Sequence, residues 1–229
     1  MTYHLYIGDR TFSSWSLRGW LLLEKFGLRF QTHLVGLYAG TYREELAHLA
    51  PAQTVPALQT PEGHVLTDSL AMAETLVERH PDVDFYPHDP AARALARSIT
   101  SEMHASFMAL RSACPNMITH VWEGFEPSDA VRADIDRITY LWALTKERHG
   151  QDGPWLFGDY TIADVFYAPV ALRITAYDLP VTAAAQTYVD CHLQDPAFLA
   201  WRTASQSEVY APWPYPMELA RRPWPGDDS

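Results

Sequence analysis

Three short stretches of the chain carry groups that could do chemistry. The first is Ser13-Ser14-Trp15-Ser16, a row of hydroxyls standing where a helix begins. A hydroxyl there can cap the helix by accepting a backbone N–H. The second is Thr54-Val55-Pro56-Ala57-Leu58, a proline set inside an apolar strand start. Proline cannot donate to a sheet ladder, so it belongs at a strand edge, a bulge or a tight turn. With a cis bond it would turn the Val55 backbone outward, where N–H and C=O could pair with an extended, peptide-like ligand as an added strand does. The plainer reading is the first residue of an edge strand, and the pentapeptide supports both equally. The third is Asp68-Ser69, which opens a helix either as a simple N-cap or as a binding pair.

Other chemistries are argued against. Cys114 and Cys191 are the only cysteines, far apart and without a Cys-x-x-Cys pair, which excludes a zinc ribbon and a dithiol centre of that type. Both read as small buried apolar residues. The ten histidines show no metal-ligand spacing, so no metal is inferred. A net charge of −11 opposes nucleic-acid binding, which needs clustered Lys and Arg. At 229 residues, 48% hydrophobic and 20% charged, the chain suits one large or two modest globular domains. No apolar run approaches the roughly 18 residues of a membrane span, and the start lacks a basic, then apolar, export signal. A cytoplasmic protein that binds neither membrane nor nucleic acid is expected.

The elements that must position these groups follow from periodicity. Residues 3–7 alternate as a strand, residues 16–26 form an apolar helix stopped by Gly27, and Phe30, Thr32 and Leu34 alternate as a second strand. Strand–helix–strand at this spacing is a right-handed unit with parallel strands. Thr41-Tyr42-Arg43-Glu44 predicts a capping box and a short helix ended by Pro51. The Val55-Pro56 strand, a turn over residues 60–63 and a return over 64–66 make a hairpin, and Asp68-Ser69 opens a third helix. The order is βαβαββα, thioredoxin-like, over residues 1–80. Residues 81–90, with Pro81, Pro87 and Pro90, read as a linker. Residues 91–229 then read as an all-helical domain: a helix from Asp89-Pro90 to about Cys114, one from Ser128 to about His149, one from Thr161 with Pro169 kinking or loosening it, one over 181–194, and one from Asp195-Pro196 through Trp201. The last stretch, with Pro212, Pro214, Pro216, Pro223 and Pro225, is expected to be an irregular tail.

Taken together, the chain resembles the cytosolic glutathione transferases over nearly its whole length to about residue 210. Thr54-Val55-Pro56-Ala57-Leu58 resembles that family's cis-proline strand, Asp68-Ser69 its acidic-or-amide–serine pair, and Phe157-Gly158-Asp159-Tyr160-Thr161-Ile162-Ala163-Asp164 its Gly-Asp-x-x-Thr-x-Ala-Asp capping box. In that box Thr161 and Asp164 exchange hydrogen bonds with each other's backbone, a structural role. Ser13-Ser14-Trp15-Ser16-Leu17-Arg18 resembles the Ser-Ser-Cys-x-Trp-Arg signature of the zeta class, whose members act as maleylacetoacetate isomerases. Trp15 stands where that class has cysteine, and Leu17 where it has tryptophan.

The resemblance implies glutathione as co-substrate, a small electrophile as second substrate, no metal, and a homodimer active in detoxification. It implies that Ser13 or Ser14 donates to the glutathione thiolate, aided by the helix N-terminus; a free thiol otherwise titrates near ~8.5. Val55 by its backbone, with Thr54, Pro56, Asp68 and Ser69, would hold glutathione, and Gln53 lies near. Phe12, Trp15 and Phe107 would line the electrophile pocket against the first long helix, where Met103, Phe107 and Leu110 share a face, although a Met and aromatic stripe at helical spacing is more often core. His104 and Arg111 are candidates for an anionic substrate, and Arg18 for an interdomain ion pair. Two other readings stand beside this one: a non-catalytic binding or assembly module of the same fold, and a glutathione-dependent reductase or peroxidase, which would want a cysteine near residues 13–15.

Overall fold

The computed structural model describes residues 2–38, 40–150, 153–207 and 214–227. Alternation makes the first strand: in β1 (Tyr3–Ile7), Tyr3, Leu5 and Ile7 are buried while His4 and Tyr6 take the opposite face. It pairs parallel with β2 (Phe30–Leu34), Tyr3 opposite Phe30 and Ile7 opposite Leu34, across α1 (Ser14–Glu24). β3 (Ala57–Gln59) and β4 (Val65–Leu66) form the hairpin, with β3 antiparallel to both β4 and β1, giving the order β2-β1-β3-β4. Between β2 and β3 lie α2 (Tyr42–Leu46) and a single 3₁₀ turn, Ala47–Leu49. The Thr41 cap does not form; the Thr41 hydroxyl donates to Glu45 Oε1 at 2.6 Å instead. α3 (Ser69–Arg79) closes the expected βαβαββα order.

The Val55–Pro56 bond is cis, as is Ala50–Pro51. Pro56 packs directly on α1. A Cβ at Gly19 would stand 2.8 Å from Pro56 Cβ, so only glycine allows this approach. The contact sets the first turns of α1 against the Val55 loop, which brings two of the three chemical stretches together.

Helices make up most of the second half: α4 (Pro90–Ala105), α5 (Met108–Ala113), α6 (Asp129–His149), α7 (Ile162–Ala176), α8 (Ala183–Gln194) and α9 (Pro196–Ser205). The single helix expected over residues 90–114 is two. Ser106 is extended and Phe107 left-handed, with φ of 64°. The break is held from both sides. Arg111 donates to the Ser106, Met103 and His104 carbonyls that the end of α4 leaves open, and Asp134 Oδ2 accepts the Leu110 N–H at 2.9 Å at the start of α5.

α7 is apolar all round, and every residue in it except Thr175 is buried, as such a helix requires. It continues past Pro169 as one helix. Its capping box forms: Asp164 Oδ2 accepts the Thr161 N–H at 2.8 Å. Asp164 Oδ1 also accepts the Leu156 N–H and the Tyr188 hydroxyl, so one buried carboxylate ties α7 to α8 and to the preceding loop.

The second half is helical but not wholly so. β5 (His120–Glu123) pairs antiparallel with β6 (Ala220–Pro223), which corrects both the all-helical expectation and the irregular tail. Beyond β6, Trp224 is buried beneath the Arg202 guanidinium, which pairs with Asp227. The segment is anchored. Pro212 lies outside the described residues. One hydrophobic core runs from Tyr3 through α1 and α7 to Trp224; a smaller cluster of Val35, Leu46, Leu49, Ala52, Val55 and Ala57 supports the Val55 loop from below. Among the described residues no helix is long and apolar enough to cross a membrane.

Candidate active site

The start of α1, the Val55 loop, the start of α3 and the α4–α5 break surround a cleft of about 930 Å³. Ser13 and Ser14 both line it, in different states. Ser13 is the N-cap of α1: its Oγ accepts the Ser16 N–H at 3.2 Å and donates to Ser16 Oγ at 2.7 Å. Ser16 Oγ in turn accepts the Gly8 N–H at 2.9 Å, locking the corner between β1 and α1. Ser14, the first helical residue, has its Oγ 3.3 Å from Arg173 Nη2 and accepts from it. Among the described residues no acceptor takes the Ser14 proton. Ser14 therefore has an O–H to give, at the positive end of a helix and beside a guanidinium.

Thr54, Val55 and Pro56 form one wall, and Asp68 and Ser69 the next. Asp68 divides its carboxylate. Oδ1 caps α3 through the Leu70 and Ala71 N–H groups at 2.8 and 3.0 Å, while Oδ2 stands 3.3 Å from His104 Nε2 on α4. Ser69 is buried, lines the cleft, and its Oγ has no partner among the described residues. Gln53 is exposed and does not line the cleft.

The wall from the helical half is cationic. Arg173 is buried in α7 and fixed by Cys114 O at 2.9 Å and Pro169 O at 3.0 Å. Burial and the neighbouring Arg111 bring it down to about 10, so it stays charged at neutral pH. Arg111 lies over the Trp15 ring. Arg18 is buried between the Trp15 and Phe166 rings and donates to Phe166 O at 3.1 Å. The expected ion pair of Arg18 is not made: among the described residues no carboxylate reaches it. Burial, with Arg111 and Arg173 nearby, pushes it well below the usual arginine range. His104 is lowered by burial against the opposing pull of Asp68, so the ring that stands beside Asp68 is neutral at neutral pH.

The glutathione S-transferase N-terminal domain model matches residues 12–79. Maleylacetoacetate isomerase of Pseudomonas aeruginosa PAO1 is 30% identical over 214 residues, 90% of this chain and 99% of its own. The chain belongs to the glutathione transferase family. A probable maleylacetoacetate isomerase of Caenorhabditis elegans is also 30% identical, over 78% of this chain and 81% of its own. The crystal structure of a glutathione transferase homologue from Burkholderia gl BGR1, with bound glutathione, shares the fold at a TM-score of 0.64 and 24% identity, over 90% of this chain and 98% of that one.

Within this transferase the pocket differs from the sequence expectation along one stripe of the helical half. Phe12, Trp15, His104 and Arg111 line the cleft, but Phe107 does not. Helical phase would have put it there; the α4–α5 break turns it into the core at 5% exposed and puts Met108, 63% exposed, on the cleft instead. Met103 and Leu110 are core as well. Sequence reasoning missed Arg173, Asn116, Tyr38 and Tyr215. Arg173 had a signal, a lone guanidinium in an otherwise apolar helix; the tyrosines, in loop and tail, had none. Cys114 serves through its carbonyl, and burial pushes its thiol up to about 12. Among the described residues no group of three His, Cys, Asp or Glu could hold a metal.

Proposed function

We propose that this transferase binds glutathione along Thr54, Val55, Pro56, Asp68 and Ser69, ionises its thiol at the Ser13–Ser14 corner, and conjugates or isomerises a small electrophile. The observation that carries the reading is the Ser14 hydroxyl, which accepts from Arg173 and keeps its own proton for a thiolate. The zeta signature would give that role to Ser13. In this fold Ser13 would first have to give up its bond to Ser16 Oγ, so Ser14 is the donor and Ser13 the cap. Val55 offers its backbone to the cysteinyl part of the tripeptide, and the unpartnered Ser69 hydroxyl meets its γ-glutamyl carboxylate.

The electrophile enters against Phe12, Trp15 and Met108 and carries negative charge, because Arg111 and Arg173 face it. The relatives named maleylacetoacetate isomerase support an isomerisation by transient addition of the thiolate. Trp15, in place of the zeta-class cysteine, leaves the serine route intact. Residues 1–80 serve as the glutathione-binding domain and 91–229 as the electrophile-binding domain, joined by 81–90. The working form is a cytoplasmic homodimer.

The test is retention on immobilised glutathione together with turnover of a chromogenic electrophile by wild type and Ser14→Ala. Retention with turnover in wild type and a large loss in the variant is expected. Retention without turnover would make the chain a binding module, and no retention would sink the glutathione reading.

A further inference from the structure

The outer face of the sheet, opposite α1, carries a cluster that the transferase reading leaves unused. His4 and Tyr6 project there from β1, and His33 from β2, where the parallel register sets it beside Tyr6. His4 Nδ1 and His33 Nε2 meet at 3.0 Å, and both residues are half-buried. The His33 ring is clamped, because Tyr6 stacks on it at 4.6 Å with 17° between the planes. The 3₁₀ turn supplies His48, whose Nε2 lies 3.4 Å from the Tyr6 hydroxyl. Gln31 and Gln59, paired with His4 in the ladders on either side, put amides rather than charges on the same face.

Two neutral imidazoles at this distance can share one proton, one ring donating and the other accepting. The same spacing is what a chelated cation requires. Two nitrogens each ~2.0–2.1 Å from one ion stand about 2.9–3.4 Å apart, for angles between about 90° and 109° at the ion. The shared proton moves to the far nitrogen of its own ring, which leaves a lone pair on each facing nitrogen. Neither ring changes its charge. A pivot of each ring then aims both lone pairs at one point, and the Tyr6 stack has already restricted one of the two rings. Among the described residues no third His, Cys, Asp or Glu completes a ligand set, so water fills the remaining positions. That makes an open, exchangeable chelate rather than a closed structural centre. Imidazole suits zinc, nickel and copper, whereas magnesium and calcium take oxygen ligands.

We propose that His4 and His33 form a two-imidazole chelate for a divalent cation of the zinc, nickel and copper group, stapling the edge strand β2 to β1. The ligands are 29 residues apart in sequence, and only the pairing of β1 with β2 creates the site. None of these residues lines the cleft, so the proposal stands apart from the thiolate reading. A cation that binds the folded chain and not the unfolded one raises stability as its free concentration rises.

The experiment titrates the untagged full chain, first stripped with a chelator, with copper, nickel, zinc and magnesium chlorides in turn. Wild type should take up one tight equivalent, copper most strongly and magnesium not at all. Electron paramagnetic resonance of the one-copper form should show splitting from two imidazole nitrogens. His4→Gln and His33→Gln should each weaken nickel binding by at least about tenfold, since even the loss of an outer-shell partner costs that much. Nickel should raise the melting temperature of wild type and not that of either variant. His88→Gln, which removes the exposed imidazole 3.0 Å from Asp84, should bind nickel like wild type. A wild type without a tight equivalent would leave the pair a hydrogen bond only and overturn the proposal. Wild-type nickel affinity in His4→Gln or His33→Gln would do the same. If either variant fails to fold, the wild-type copper spectrum decides alone, and fewer than two nitrogens in it overturns the chelate.

Discussion

Arg173 Nη2 lies 3.3 Å from Ser14 Oγ, joining the buried last turn of α7 to the first turn of α1 across 159 residues of sequence. The other guanidinium nitrogens are fixed on the Cys114 and Pro169 carbonyls, so the fork cannot swing away. A lysine has no planar fork and cannot satisfy these three acceptors at once. Arg173→Lys should therefore raise the pKa of the bound glutathione thiol and lower kcat/KM by about tenfold or more. The alkaline shift of the pH–rate profile measures it; a profile that keeps its midpoint would disconnect Arg173 from the thiolate.

The two serines should separate by what each loses. Ser13→Ala removes an N-cap and should cost about 1 kcal/mol of stability in denaturant unfolding. Ser14→Ala leaves the cap in place and should remove most of the thiolate seen by ultraviolet absorbance of the glutathione complex at neutral pH. If Ser13→Ala instead abolishes the thiolate signal and Ser14→Ala does not, the hydroxyl of Ser13 leaves Ser16 on binding and the roles are exchanged.

Gly19→Ala tests how the Val55 loop is held. The added Cβ would meet Pro56 Cβ at 2.8 Å, and overpacking of this kind costs about 1–3 kcal/mol. Pro56 has to move, and Val55 with it. Weaker glutathione binding by calorimetry should accompany the lower stability. Unchanged affinity in a destabilised variant would mean that the loop relaxes without disturbing the clamp.

Acid should weaken the fold through His192. Burial first, and the Lys25 charge second, hold its imidazole down to about 3 in the folded chain, against about 6.5 when unfolded. Its contribution is full above pH 6.5. As pH falls from there toward about 3, the unfolded chain takes a proton that the folded chain refuses, and stability drops by up to about 1.4 kcal/mol per pH unit. His192→Gln should flatten the dependence of unfolding free energy on pH between 7 and 5, whatever its effect on absolute stability. Parallel wild-type and variant curves would rule His192 out as the source.

Much of the fold was legible in local pattern. Tyr3, Leu5 and Ile7 alternate, Asp68 and Ser128 cap helices, and Thr161 with Asp164 makes a reciprocal cap; each is decided within a few residues. The misreadings come where the deciding partner is remote. The periodicity of residues 90–114 is helical throughout, yet Arg111 and Asp134 hold a break at Phe107 by binding the backbone ends it creates. Residues 220–223 hold arginines and a proline with no strand pattern, and they pair only because β5 offers an edge.

The candidate site divides the same way. By itself the sequence determined which groups were available: hydroxyls at Ser13 and Ser14, a proline inside the strand start at Val55-Pro56, a carboxylate and hydroxyl at Asp68-Ser69. Cap geometry, proline chemistry and helix phase are short-range, and one chain segment suffices to set them. Only the tertiary structure decided how these groups divide their work. Ser13 is taken up by Ser16 and Ser14 is turned to Arg173, Asp68 is shared between its own helix and His104, and Tyr38 meets Tyr215. Which hydrogen bonds a hydroxyl or a carboxylate makes depends on what burial brings within about 3 Å, and those neighbours come from segments that only packing around α7 draws together.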